Sequence, residues 1–284
     1  MGRVLKAKAG IEYVGRASAR HVGLKPDLRM VLRFLGLLLA AISPLSPAEE
    51  LPAVTPYRPT VSNPAALSQP GWLEIEAGLN ASNASDNSRR GNLPYLLKVA
   101  FSDNFGVLLG GDAYIDQTDQ AGSKLSGAGD TLLMLKQKFA ESKDGKSAFG
   151  VEYGFKLPTA KKDLGSGKTD YLVNGIYSTE LSGNTIDLNV NYTELGDAQP
   201  GEAQQQWGWA TTWSRPLNDI WGVAAELSGY ARQGAESSSQ FLGAVSYNMS
   251  RRVVWDAGFT AGITPAAPTW SVFAGVSILA GKLW

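Results

Sequence analysis

The chain has 284 residues, with 26 Lys and Arg balancing 26 Asp and Glu, 44% apolar residues, 32 glycines and no cysteine. That length accommodates one large or two ordinary domains, and the missing thiols exclude a disulfide scaffold and a cysteine zinc cluster. Abundant glycine with 10% aromatic residues suits a protein of many short strands.

Residues 1–48 differ from the rest, carrying eight Lys and Arg against only Glu12 and Asp27. Within them, Phe34 to Ile42 is an apolar run behind Arg29 and Arg33, followed by the small-x-small site Ser46-Pro47-Ala48, as in a secretory signal peptide. The run is too short to cross a bilayer as a helix. Met30 stands at the head of an ordinary signal peptide, so translation is expected to start there and the mature chain near Glu49. What remains has eighteen basic and twenty-four acidic residues, a net charge of −6, and has lost His21, the single histidine.

That balance leaves no basic footprint for nucleic acid. Without histidine or cysteine the mature chain has no imidazole base, no thiol nucleophile and no ordinary zinc site, so a Ser/His/acid hydrolase is excluded and no enzyme, metal or cofactor is expected. Residues 49–70 hold Pro52, Pro56, Pro59, Pro64 and Pro70. They read as an extended linker or as a segment tucked into a lumen, and composition favours the disordered linker.

From Gly71 the apolar positions recur with a period of two, which puts them on one face of a strand. Leu73, Ile75, Ala77 and Leu79 oppose Glu74, Glu76, Gly78 and Asn80. Tyr95, Leu97, Val99 and Phe101 oppose Lys98 and Ser102. In a third strand Val107, Leu109, Ala113 and Ile115 oppose Gly106, Gly110, Asp112 and Asp116. The fourth is less regular: Leu133, Leu135 and Phe139 oppose Asp130, Lys136 and Lys138, while Leu132, Met134 and Gln137 break the alternation. Strands five to seven fill 148–192, where Phe149, Val151, Tyr153 and Phe155 oppose Gly150, Glu152 and Lys156, Tyr171, Val173 and Tyr177 oppose Asn174, Ser178 and Glu180, and Ile186, Leu188 and Val190 oppose Asp187 and Asn189. Five more follow, with Glu226, Arg232 and Asp256 on their polar faces, making twelve.

The connections alternate in length. Short ones fall at Asp103-Asn104, 143–146, 182–184, 215–219 and Ser250-Arg251; longer polar ones fall at 82–92, 117–129, 159–169, 195–205, 233–238 and 264–268. An even strand count, short turns at one end and long loops at the other predict an all-β fold: a transmembrane antiparallel up-and-down β-barrel of about 12 strands over residues 71–284, in the bacterial outer membrane. A soluble sandwich would carry a denser charged face. Aromatic residues near strand ends (Trp72, Tyr95, Phe105, Tyr171, Tyr192, Trp207, Trp221, Trp255, Trp270) suit girdles at the two interfaces.

Charge on the lipid face is costly, so alternation turns Glu74, Glu76, Lys98, Asp112, Lys136, Lys138, Glu152, Lys156, Glu180, Asp187, Glu226, Arg232 and Asp256 towards the lumen. Their ordinary role is to pair across strands and fill a narrow barrel; their functional role is to line a solute path, with the cations Lys136, Lys138, Lys156 and Arg232 attracting anions. Glu74 with Glu76, and Asp112 with Asp116, are same-face carboxylate pairs that could hold a cation, though a solvated lumen is the better reading.

Gly129-Asp130-Thr131 with Lys136, Phe155-Lys156-Leu157-Pro158-Thr159, Leu164-Gly165-Ser166-Gly167, Asp170-Tyr171 and Leu188-Asn189 together resemble the core motif of an outer-membrane family named for the meta-pathway of phenol degradation. The likeness is most specific between Gly129 and Tyr192. It departs from the family pattern at Ala160, where glycine is usual. The resemblance implies a transporter-type barrel, with outer-membrane lipid and a small-molecule solute as partners. Two functions follow: a channel for passive uptake of small hydrophobic or aromatic solutes, or a structural or surface-interaction barrel with a closed lumen.

Overall fold

The computed structural model describes residues 52–284; the expected signal peptide and its cleavage site lie outside the described residues. The described chain is all-β: β1 (Trp72–Asn83), β2 (Arg89–Ser102), β3 (Phe105–Thr118), β4 (Lys124–Gly127), β5 (Thr131–Glu141), β6 (Ser147–Leu157), β7 (Asp170–Leu181), β8 (Asn184–Glu194), β9 (Gln205–Pro216), β10 (Trp221–Arg232), β11 (Ser238–Ser250), β12 (Val253–Gly262) and β13 (Trp270–Lys282). Every pairing between these strands is antiparallel, and β13 returns to β1 from Trp72↔Lys282 to Asn83↔Trp270. β4 pairs only with β3 and stands outside the ring, so twelve strands close the barrel. Closure leaves no free edge within the bilayer, the condition a sheet must meet to cross hydrocarbon.

Residue type explains the two faces. Val173, Tyr177, Val190, Trp209, Trp213 and Val272 project outward and are exposed, while Gly, Ser, Asn and the charged residues alternate with them and are covered. An apolar belt of this extent would be an aggregation surface in water and is the solvated face in lipid. Val190, at mid-strand between Gly175 and Trp209, tests the assignment. Val190→Arg is expected to lower the unfolding free energy in urea titrations of vesicle-refolded protein by about 2–4 kcal/mol, the cost of a cation at the midplane.

The strands run further, and the chain is less regular, than alternation alone indicates. β1 and β2 continue to Asn83 and Arg89, so the first long loop is only 84–88, and the second contains the β3–β4 hairpin. In β3 the expected face reverses. Leu93 pairs with Tyr114 but Pro94 with Asp112, which makes Ala113 the extra residue of a bulge. Beyond it Ile115 turns inward, 1% exposed, and Asp116 outward, so Asp112 and Asp116 do not share a face. In β5, Leu132 and Met134 do not break the alternation; they share the inward face with Lys136 and pack with Leu108 against Tyr57. Trp72 is no girdle residue: it is buried with Val54 and Leu279, with the Arg252 guanidinium 5.6 Å from its ring. Tyr171, Trp207, Trp221, Trp255 and Trp270 are exposed.

Candidate functional site

Residues 52–70 are not a free linker. They enter at the short-turn end, where the Val54 amide donates to the Arg251 carbonyl, and pass through the interior before joining β1. Prolines deny this segment regular structure, so its amides need side-chain acceptors. The polar face of the barrel supplies them. Glu74 accepts from Thr55 N, Glu76 from Tyr57 N at 2.7 Å and Arg58 N at 3.1 Å, and Glu226 Oε2 from Val61 N at 2.9 Å and Ser62 N at 2.8 Å. Asn189 brackets Asn63, accepting from its amide and donating to its carbonyl, and Ser178 Oγ accepts from Ala65 N at 2.7 Å.

Cations complete the arrangement. Lys98 lies 2.9 Å from Glu74 and 2.6 Å from Glu76 and donates to the Thr55 carbonyl. Lys136 is 2.9 Å from Glu152 and donates to the Pro64 carbonyl. Both ammonium groups approach the Tyr57 ring, at 3.9 and 4.0 Å from its centre, so one aromatic ring joins the two ion pairs. Arg58 grips Asp256 with two hydrogen bonds of 3.0 and 2.9 Å. The wall is cut to fit it: a Cβ on Gly78 would lie 2.7 Å from the Arg58 guanidinium carbon, and one on Gly275, its neighbour across β1 and β13, 2.3 Å from Nε.

The sequence-predicted residues therefore separate into three levels. Glu74, Glu76, Lys98, Lys136, Glu152, Asp187, Glu226 and Asp256 are all buried in one belt around the segment. Towards the long loops, Asp112 pairs with Arg90 at 3.1 Å and Arg232 with Glu202 at 2.8 Å. Lys156 sits between Asp130 at 3.2 Å and Asp170 at 2.9 Å and donates to Ser166 Oγ. At the short-turn end Lys138 pairs with Glu141, and Glu180 is exposed at the rim.

The Lys156 cluster accounts for the sequence motif. Asp130 also accepts from the Ala160 amide, Asp170 accepts from the Gly196 amide, and a Cβ on Gly165 would meet Asp130 at 2.6 Å. One lysine and two aspartates thus hold three loops over the barrel mouth. Sequence reasoning missed Tyr57, Arg58, Ser62 and Asn63, which make the segment's own contacts; the signal available was an aromatic and an arginine set among prolines above a chain of inward carboxylates.

Beside the segment, at the short-turn end, lies a cavity of about 340 Å³. Its walls are the plug residues Pro56, Pro59 and Thr60, the polar Asp187, Thr212, Ser214 and Ser246, and the apolar Val223, Ala224 and Ala244. No group of three or more His, Cys, Asp or Glu suited to a metal ion occurs among the described residues.

Comparison with solved structures shows that this fold is shared with outer-membrane β-barrels. The COG4313 outer membrane channel from Pseudomonas putida F1 superposes with a TM-score of 0.59 at 11% identity, covering 75% of this chain and 97% of that one. The NanC porin superposes with a TM-score of 0.50 at 10% identity, covering 72% and 98%. No curated protein matches the chain in sequence. Residues 58–280, from the arginine of the interior segment to the last strand, match the family described as "Putative MetA-pathway of phenol degradation". With that match spanning most of its length, the chain belongs to the MetA-pathway phenol-degradation family.

Proposed function

We propose that the protein is an outer-membrane channel for passive uptake of small hydrophobic or aromatic solutes, held closed at rest by residues 52–70. The observation that carries the reading is a closed, lipid-facing barrel whose interior is filled by a separable segment rather than by its own wall, beside a cavity of about 340 Å³. A barrel of this size whose strands met across the interior would be a rigid post; one filled by a tethered segment has a path that can be vacated. The solute class draws support from the family and from the inner wall around Tyr57, where Leu96, Leu108, Leu132, Met134 and Leu172 interrupt the polar face. On this reading the belt of charges lines the solute path, the protein works without a cofactor, and it reaches the outer membrane after export through the inner one.

A second reading, a sealed barrel with a structural or surface-interaction role, is favoured by the wall acceptors that hold the amides of Thr55, Tyr57, Arg58, Val61, Ser62, Asn63 and Ala65. Planar-bilayer conductance and liposome swelling with the purified mature protein separate the two. Channel events together with swelling driven by small aromatic solutes support uptake. Silent bilayers and unswollen liposomes, from the intact protein and from one lacking residues 52–68, would overturn it in favour of the sealed barrel.

A further inference from the structure

The belt of buried charge is not balanced. Six carboxylates (Glu74, Glu76, Glu152, Asp187, Glu226, Asp256) face three cations (Arg58, Lys98, Lys136), and every ion pair among them leaves Asp187 and Glu226 out. These two are placed together by register. Asp187 on β8 is directly opposite Thr212 on β9, and Thr212 is directly opposite Glu226 on β10. Opposed residues have Cβ atoms about 5 Å apart, so the two acids flank one hydroxyl, which donates to Glu226 and is also hydrogen-bonded to Ser62 Oγ. Glu226 is 1% exposed; its Oε2 takes three hydrogen bonds, while Oε1 is buried without a partner. Asp187 receives only the Ser178 hydroxyl and, with Thr212, lines the cavity at the short-turn end. Two carboxylates without an ion pair in a covered site are costly unless a proton or a cation joins them.

We propose that the row Asp187, Thr212 and Glu226 is a binding site for a monovalent cation: the ammonium head of a small amphipathic amine, or an alkali ion. Two carboxylates and a hydroxyl are too few oxygens for calcium, which takes six to eight. An ammonium group has three donors, and the adjoining cavity offers its apolar part the faces of Pro56, Pro59, Val223 and Ala224. The inference deepens the channel reading by giving the solute a charge. It is tested by binding rather than conduction, so the two can fail separately.

Occupancy is read by isothermal titration calorimetry. Folded protein in detergent, at pH 7.5 and constant ionic strength, is titrated with benzylammonium chloride, with its neutral counterpart benzyl alcohol, with benzoate, and with sodium or potassium chloride against bulky tetrabutylammonium. The expected result is a saturable response to benzylammonium, with Asp187→Asn weakening it by about tenfold or more and Asp187→Asn with Glu226→Gln removing it. Saturation by sodium or potassium alone, with competition against benzylammonium, identifies an alkali ion as the resident cation and supports the same site. Asp187 makes no direct hydrogen bond or ion pair with residues 52–70 and reaches them only through Ser178, so Asp187→Asn carries the test even where Glu226→Gln loosens the segment; heat-modifiable gel mobility verifies that each variant is folded. Equal binding of benzyl alcohol, an unchanged response in Asp187→Asn, or no saturable response to any cation would overturn the proposal.

Discussion

Removing residues 52–68 from the mature protein is expected to raise single-channel conductance by about tenfold or more while leaving the barrel folded, because twelve strands enclose more space than side chains alone can fill. The segment's amides are held by side chains of the wall, and once it is gone those side chains face water, which satisfies them. The barrel ladder itself is continuous from β1 to β13 without the segment. A gentler variant gives an intermediate result. Gly275→Val puts a side chain where the Arg58 guanidinium now lies, 2.3 Å from the position of a Cβ, so Arg58 must leave Asp256. Conductance that stays at the wild-type level in the deletion variant would mean that the mouth, rather than the segment, limits passage.

Lys136→Met is the second large expectation. Lys136 is 0% exposed and Glu152 only 3%, so the substitution leaves a buried carboxylate without its cation, removes a donor from the Pro64 carbonyl and takes one ammonium from the Tyr57 ring. Breaking a buried pair in this way costs about 3–5 kcal/mol. A barrel has an exit that a soluble core lacks: the segment can withdraw and let water reach Glu152. The loss should therefore appear first as proteolytic sensitivity of residues 52–70 and only then as a lower temperature for the heat-modifiable gel shift. Glu152→Gln in the same chain should restore most of the loss. Lys138→Met, whose partner Glu141 is largely exposed at the rim, should change stability by less than about 1 kcal/mol.

The barrel itself was legible in the sequence because it rests on two local signals, period-two alternation and the alternation of turn lengths, and neither depends on distant residues. Inward placement of the buried carboxylates and lysines follows from the same parity. What escaped depends on geometry that parity does not encode. One bulge at Ala113 turns Ile115 in and Asp116 out, and nothing in the residue types there announces it. Leu132 and Met134 read as errors in a strand until Tyr57 is known to stand opposite them. The proline-rich segment reads as disordered because its hydrogen-bond acceptors are contributed by seven different strands; no window along the chain contains both halves of that arrangement. The motif around Asp130, Lys156 and Asp170 was visible as a motif, but its purpose, joining three loops through one ammonium group, needed the strands in register.

The order in which these parts can come together is constrained. Arg58 and Asp256 are 198 residues apart and Val61 and Glu226 are 165 apart, so these contacts of the first portion of the mature chain form only when almost the last strands have arrived, although Glu74 and Glu76 stand no more than 19 residues from the amides they hold. Closing loops of that length is slow relative to forming neighbouring hairpins. Until then the Arg58 guanidinium and the Val61 and Ser62 amides are hydrated, and Asp256 and Glu226 meet them only when β10 and β12 are in place. Seating of the segment is then the final step of assembly, and a chain truncated before β12 would be a curled sheet with an open middle.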